Sequence, residues 1–212
     1  MLREVEADAR ELGSTLGKDG FDARVLSALG RVPRHEFVPA RFRSMAYANQ
    51  ALSIGHGQTI SQPFIVALMT DLLAVDESSV VLEVGTGSGY QAAVLAELVA
   101  RVYGIEAIGE LAEQARARLQ RLGYDNVEIR KGDGYAGWVE HAPFDGIIVT
   151  AAAPETPPRL VEQLRPGGGR LVIPVGAPYE TQWLTVVEKG EERAVRTRRI
   201  IPVAFVPMRE VS

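Results

Sequence analysis

Directly after the run Val80-Val81-Leu82-Glu83-Val84 come three glycines in five residues, Gly85-Thr86-Gly87-Ser88-Gly89, and no other feature of this chain restricts its fold as tightly. A run that is apolar apart from Glu83 is what a strand covered on both faces requires. The glycines let the backbone turn at the strand's tip and come close to a ligand, beside the N-terminus of the helix that follows. This strand is the first of a series. Ala- and Leu-rich helical sequence runs to about residue 99, and residues 102–106 read as a second strand. Ile108, Leu111, Ala112, Ala115, Leu119 and Leu122 then recur at helical spacing, with Gly123 as the stop. Residues 127–130 and 144–149 are further strands, 157–164 a helix and 170–175 a fifth strand. Strand-helix alternation predicts an α/β fold with right-handed crossovers, a doubly wound and mostly parallel sheet. Residues 181–188 and 199–206 are strand-like with no helix between them, which predicts antiparallel strands added to one edge.

Upstream of the series the pattern is helical. Residues 2–16 and 22–32 read as two amphipathic helices separated by Gly17-Lys18-Asp19-Gly20. Residues 33–57 have no clear period and read as loops and short helices. A further helix runs from about Ser61 to Leu73, with Ile65, Leu68, Met69 and Leu72 on one face. At 212 residues, 46% hydrophobic and 24% charged, the chain fits one domain with a full core. Its expected division is a helical cap over 1–78, a core over 79–176 and a strand extension over 177–212. A net charge of -4 argues against a partner made mainly of phosphate backbone. The one basic cluster, Arg193, Arg196, Arg198 and Arg199, falls in the expected edge strand, where charge discourages pairing with another chain. Without cysteine there are no disulfides, thiolate metal sites or cysteine nucleophiles. A charged start without a long apolar stretch is not a signal peptide, and no run approaches the ~18 apolar residues of a membrane helix. A soluble, cytoplasmic protein is expected.

The glycine spacing narrows the ligand. A dinucleotide fingerprint places glycines first, third and sixth, whereas here they are first, third and fifth with Tyr90 sixth. A phosphate loop would end in Gly-Lys-Ser/Thr, which is absent. Gly-x-Gly-x-Gly with Glu83 two residues before it resembles instead the first motif of class I methyltransferases, which use S-adenosylmethionine (SAM). Glu106 ends the second strand, where a carboxylate can accept both hydroxyls of a ribose. Gly132-Asp133-Gly134 follows the third strand, and its Asp can accept from an adenine amino group or simply make a turn. The three signals stand in order at the ends of consecutive strands.

The acceptor follows from which side chains are missing. Methyl transfer from a sulfonium needs an aligned nucleophile in a dry pocket. Enzymes that methylate base amines carry Asn/Asp-Pro-Pro-aromatic after the fourth strand, and this chain has Thr150-Ala151-Ala152-Ala153-Pro154. Cytosine C5 chemistry needs a cysteine. Phenols want a base or magnesium, and no carboxylate constellation for a metal is visible. A carboxylate, with a pKa near ~4, is already anionic and needs only donors to aim it. Gly57-Gln58-Thr59-Ile60-Ser61-Gln62-Pro63 supplies them. Spacing leaves two readings of Ser61: the N-cap of its helix, which serine suits well, or a donor to a carboxylate at a helix N-terminus.

Taken together, these segments resemble the bacterial protein-L-isoaspartate O-methyltransferases over nearly the whole chain. The resemblance is carried by Val32-Pro33-Arg34-His35-Glu36-Phe37-Val38-Pro39, Ile54-Gly55-His56-Gly57-Gln58-Thr59-Ile60-Ser61-Gln62-Pro63 and Leu82-Glu83-Val84-Gly85-Thr86-Gly87-Ser88-Gly89-Tyr90-Gln91. Gly132-Asp133-Gly134, the stretch from Phe144-Asp145 to Ala153-Pro154, Gly167-Gly168, residues 172–176 and residues 203–207 add to it. It implies a Rossmann-like class I methyltransferase fold and Ser61 as the active-site serine, facing both donor and acceptor. It implies SAM contacts from Thr59, Ser61, Glu83, Gly85, Thr86, Gly87, Ser88, Gly89, Glu106, Gly132, Asp133, Gly134 and Thr150. Ile60, Ser61, Gln62, Pro63, Val206 and Pro207 are implied around the isoaspartyl group. Asn49 stands where the family often has Asp, and Ser53 where it usually has Pro. Both departures precede the active-site loop and remove no group the chemistry needs. His56, between two glycines, reads as a solvent-facing loop residue.

The reaction implied is methylation of the free carboxylate of L-isoaspartyl residues in damaged proteins and peptides, with S-adenosyl-L-homocysteine (SAH) as product. A methyl ester leaves far better than a carboxylate, so the next backbone nitrogen closes a succinimide that water reopens partly to aspartate. Other readings are a methyltransferase for another carboxylate or small molecule, a SAM-binding module without catalysis, and a nucleic-acid methyltransferase. The second would be marked by loss of a loop glycine or of Ser61, and the third is disfavoured by charge and by the missing amine motif. The expected partners are isoaspartyl proteins and peptides, with no nucleic acid and no membrane, for a monomeric enzyme.

Overall fold

The computed structural model describes residues 1–17, 19–177, 179–191 and 194–209; Lys18 and Arg193 lie outside them. In chain order the elements are α1 (Leu2–Glu11), α2 (Gly13–Leu16), α3 (Ala23–Arg31), β1 (Leu52–Gly55), β2 (Gln58–Ile60), α4 (Pro63–Leu73), β3 (Val80–Val84), α5 (Tyr90–Ala96), β4 (Arg101–Glu106), α6 (Gly109–Arg121), β5 (Val127–Lys131), β6 (Gly146–Val149), α7 (Pro158–Glu162), β7 (Gly169–Val175), β8 (Gln182–Lys189) and β9 (Val195–Val203). Short 3-10 turns at Arg34–Phe37, Ala40–Met45, Gly134–Ala136 and Val139–His141 complete the set.

The main sheet has the order β5-β4-β3-β6-β7-β8-β9. From β3 the chain moves outward through β4 and β5, then returns to place β6 on the other side of β3, all in parallel register. That reversal opens a crevice at the carboxyl ends of β3, β4 and β6. The doubly wound, mostly parallel sheet read from the strand series is therefore the fold. As the two runs without an intervening helix required, β8 and β9 extend it antiparallel to β7. Arg196, Arg198 and Arg199 are exposed on β9, the edge strand.

Two departures from the sequence pattern lie in the cap. The long first helix is broken after Glu11, where Gly13, a poor helix former, follows Leu12. Residues 52–60 form a hairpin rather than a loop, with Leu52 opposite Ile60 and Ser53 opposite Thr59. His56 and Gly57 turn it with φ of 53° and 70°, the doubly positive pair that a tight two-residue hairpin turn needs. His56 faces solvent, and the Ser53 hydroxyl accepts from the Gly55 N–H at 3.4 Å inside the hairpin.

Helix α4 is buried almost all round, not on one face alone, because α1 and α3 cover the side away from the sheet. Leu68, Met69 and Leu73 are enclosed, each contributing about 1.5–3 kcal/mol of apolar burial. The core thus fixes the axis of α4, and with it the position of residues 59–62 over the crevice. No helix among the described residues is long and apolar enough to cross a membrane.

Candidate active site

The crevice is an open cleft of about 770 Å³. Its floor is the tips of β3 and β4 with the glycine loop: Glu83, Val84, Gly85, Thr86, Gly87, Ser88, Ile105 and Glu106. Gln58, Thr59, Ile60 and Ser61 form one wall; Gly134, Thr150, Ala151, Val206, Pro207, Met208 and Arg209 form others. The C-terminal segment reaches the site because it pairs with the chain after β6: Ala152 N–H donates to the Val206 carbonyl and Met208 N–H to the Ala152 carbonyl, both at 2.8 Å.

Gly85, Gly87 and Gly89 have φ of 92°, 54° and 88°. At Gly85 space also forbids a side chain, since a Cβ would lie 2.8 Å from Thr150 Oγ1. That hydroxyl donates to the Gly85 carbonyl at 2.5 Å, with the Val84 carbonyl at 3.2 Å, and so ties the tip of β6 to that of β3. Glu106 is buried, with Oε2 accepting from Gly87 N–H at 2.7 Å and Oε1 from Ile108 N–H at 2.9 Å. One carboxylate thus holds both the glycine loop and the entry to α6. Each oxygen keeps lone-pair capacity for a further donor.

Glu83 is the least solvated acid of the site. It is fully buried, and its carboxyl meets only the Thr86 hydroxyl and the Ala92 N–H, too little to replace the water it has lost. Burial, reinforced by the Glu106 charge, pushes its carboxyl up to about 8. An unfolded glutamate titrates near ~4.3, so the native chain holds the extra proton between those values and loses stability as pH rises through them. The stability gap between Glu83→Gln and the parent should accordingly widen in the variant's favour from pH 4.5 to 8, by about 1.4 kcal/mol per unit at most. Urea unfolding across that range measures it, and parallel curves would refute the assignment.

Ser61 is not the N-cap of α4. Gln62 occupies that position without a side-chain cap, and Pro63 is the first helical residue. The Ser61 hydroxyl makes no hydrogen bond among the described residues, so it is available to a ligand in the cleft. The cap comes from far away in sequence. Asn49 Oδ1 accepts from Phe64 N–H at 3.0 Å while its Nδ2 donates to Asp8 Oδ2 at 2.8 Å. The amide at position 49 is thus matched to Asp8, which an aspartate could not be. Asn49→Ala should cost about 1–2 kcal/mol in thermal unfolding. Asn49→Asp should also destabilise near neutral pH and recover when Asp8→Asn is added; no recovery would break the link.

The structure brings Thr59, Ile60, Ser61, Glu83, Gly85, Thr86, Gly87, Ser88, Glu106, Gly134, Thr150, Val206 and Pro207 to the cleft wall. Gly89, Gly132, Asp133, Gln62 and Pro63 stand behind it. Gly132 N–H donates to the Glu106 carbonyl at 3.0 Å, and Asp133 Oδ1 accepts from Tyr135 N–H at 2.9 Å, capping the turn that carries Gly134. Gln58, from the segment expected to supply donors, also lines the cleft, and the expected site lacked Val66, Val84, Tyr90, Gln91, Ile105, Ala107, Ile108, Ala151, Met208 and Arg209. Ala107 and Ile108 follow a strand-end acid directly, which is a usable signal. Met208 and Arg209 offered none, being placed by the pairing at Ala152. Arg209 Nη2 reaches the His56 carbonyl at 3.4 Å, and His56 Nε2 lies 3.4 Å from Glu110 Oε2, so tail, hairpin turn and α6 meet at the rim.

A doubly wound sheet with a Gly-x-Gly-x-Gly turn at its switch point and a buried acid at the tip of the next strand defines a class I methyltransferase fold. Within that class the chain belongs to the protein-L-isoaspartate(D-aspartate) O-methyltransferase family, whose model matches residues 8–212. Protein-L-isoaspartate O-methyltransferase 2 of Syntrophobacter fumaroxidans is 63% identical over 208 residues, 98% of this chain and 84% of the relative. The protein of the same designation from Polaromonas sp. is 60% identical, covering 98% of both. A solved protein-L-isoaspartate O-methyltransferase superposes with a TM-score of 0.84 at 27% identity, covering 98% of this chain and 65% of that one. A Plasmodium falciparum protein assigned to the same family, solved with S-adenosyl-L-homocysteine, gives 0.75 at 26% identity over 96% of this chain and 97% of its own.

Proposed function

We propose that this chain transfers a methyl group from SAM to the free carboxylate of L-isoaspartyl residues in proteins and peptides, the first step of their repair. Family membership supports the reaction. The observation that carries its placement is a pair: the unbonded Ser61 hydroxyl on one wall of the cleft, and the buried Glu83 carboxyl on its floor.

SAM is cationic at its sulfonium and at its ammonium, and Glu83 and Glu106 are the acids available to it on the floor. Glu106 is suited to the ribose hydroxyls and the glycine loop to close backbone contact, while Asp133, behind the wall, keeps Oδ2 unbonded among the described residues for the adenine amino group. When bound, SAM supplies an electrophilic methyl on a leaving thioether. The chain's own task is to bind, orient and dry the site. Thr59, Ile60 and Ser61, facing Val206 and Pro207, present one hydroxyl donor in apolar surroundings, which suits an acceptor that arrives already ionised and needs no base. The carboxylate oxygen forms the new C–O bond as the C–S bond breaks, and no proton moves.

Isoaspartyl proteins and peptides are thus the partners. A net charge of -4 sets nucleic acid aside, and the arginines of the β9 edge favour a monomer; we assign the cytoplasm as its compartment. A panel of isoaspartyl, aspartyl and small-acid acceptors with labelled SAM tests the reading. Preferred labelling of isoaspartyl peptides is expected, and a stronger response to another acceptor refutes the repair assignment.

A further inference from the structure

Arg34 is fully buried and has no carboxylate partner among the described residues. Its charge is met by backbone dipoles instead. Nε donates to the Ala46 carbonyl at 2.8 Å, and Nη2 to the carbonyls of Ser61 at 2.7 Å and Gln50 at 3.4 Å. The guanidinium lies 4.6 Å from the centroid of the Tyr90 ring, which lines the cleft. The Tyr90 hydroxyl lies beside the guanidinium and interacts with it, while neither it nor Nη1 meets any other polar group among the described residues. Removing a cation from water is costly, and here the cost is offset chiefly by backbone carbonyls, the shortest of these bonds being to Ser61 in the active-site segment.

What it holds is the peptide between Ser61 and Gln62. A trans peptide is planar, with its C=O and N–H on opposite sides. Fixing the Ser61 carbonyl on Arg34 therefore turns the Gln62 N–H away from the guanidinium and sets the direction in which Ser61 projects its side chain. The first residues of α4 give a carboxylate little help. Pro63 has none, and Phe64 N–H is taken by Asn49. Only a planar, forked cation can bridge carbonyls from the turn after Ala40–Met45, from Gln50 and from the active-site segment at once; a lysine ammonium cannot.

We propose that Arg34 is a positioning residue for the acceptor: by clamping the Ser61 carbonyl it fixes the Ser61 hydroxyl as the donor for the substrate carboxylate. This rests on the proposed methylation of a carboxylate.

Arg34→Lys and Arg34→Ala test it, with rates expressed per SAH-binding site counted by titration calorimetry, so that any unfolded fraction drops out. Arg34→Lys should bind SAH within about threefold of the parent while losing at least about 30-fold in kcat/KM for an isoaspartyl peptide, with kcat and peptide KM both moving. Guanidinium ion should restore part of the peptide turnover of Arg34→Ala and none of that of Arg34→Lys. Parent-like kcat and KM per binding site would overturn the proposal. So would a fall in SAH affinity parallel to the fall in turnover, or loss of SAH binding in both variants, since Arg34 would then hold the fold and not the acceptor. If the parent itself prefers another carboxylate, the repair reading fails, and the same comparison made with that acceptor still decides the role of Arg34.

Discussion

Glu106→Ala is expected to raise the Kd for SAH by about 100-fold or more, while leaving a folded chain. The carboxylate makes two charge-assisted bonds inside the protein, to the Gly87 and Ile108 amides. In the proposed function its remaining lone pairs serve the ribose hydroxyls. A hydrogen bond to a charged group is worth about 1.5–3 kcal/mol, so losing the two ligand bonds alone accounts for roughly 3–4 kcal/mol or more. The freed Gly87 amide adds to the loss, because the glycine loop is no longer held in the shape that accepts the ligand. Glu106→Gln separates the two contributions. Its carbonyl can serve one amide, but its NH2 faces the other, so a donor meets a donor and the loop is still disturbed. The expected order of affinity is parent, Gln, Ala. Titration calorimetry with SAH reads it directly, and a Kd for Glu106→Ala within fivefold of the parent would remove the residue from the cofactor site. At saturating SAM the peptide turnover of Glu106→Gln should recover largely, since the acceptor side is untouched.

The parts of this molecule legible in its sequence are those whose signals are local. Strands covered on both faces must be apolar throughout, so β3, β4, β6 and β7 stand out as runs, and the glycines after β3 announce a turn that only glycine makes well. Glu106 was readable because it ends a strand. Hairpin β1–β2 was not: its strands have four and three residues, and His56 takes the positive φ where Asn or Asp would have advertised the turn. The helix boundary at Ser61 failed for a different reason. Sequence can place a capping residue beside its helix, but it cannot show that Asn49 supplies the cap from 15 positions away. Arg34 and Thr150 belong with Asn49. Each acts on a carbonyl or amide brought near it by the tertiary fold, and no periodicity encodes that. The floor of the cleft, the glycine loop with Glu106, is local and was legible, whereas the walls around it are assembled from distant segments.

Ser61→Ala should lower kcat/KM for an isoaspartyl peptide by about 100-fold at saturating SAM, with the Kd for SAH changed less than about threefold. The size follows from alignment and not from charge. As the C–O bond forms, the carboxylate gives up its negative charge, so a donor to it is no stronger in the transition state than before. What the hydroxyl supplies is position: it selects one oxygen and points it along the methyl–sulfur axis, and a misplacement of about 1 Å at such a centre costs about 10²-fold. Stability gives an independent check on the two readings that spacing left open. Loss of a serine N-cap typically costs about 1 kcal/mol, which would lower the Tm of a chain this size by about 2–4 °C. With Gln62 as the N-cap and Asn49 bonding the Phe64 amide, Ser61→Ala should leave Tm within about 1 °C of the parent while activity collapses. A variant that loses stability and keeps its turnover would reverse the assignment, making Ser61 a structural residue and leaving the acceptor carboxylate to be aimed by backbone amides alone.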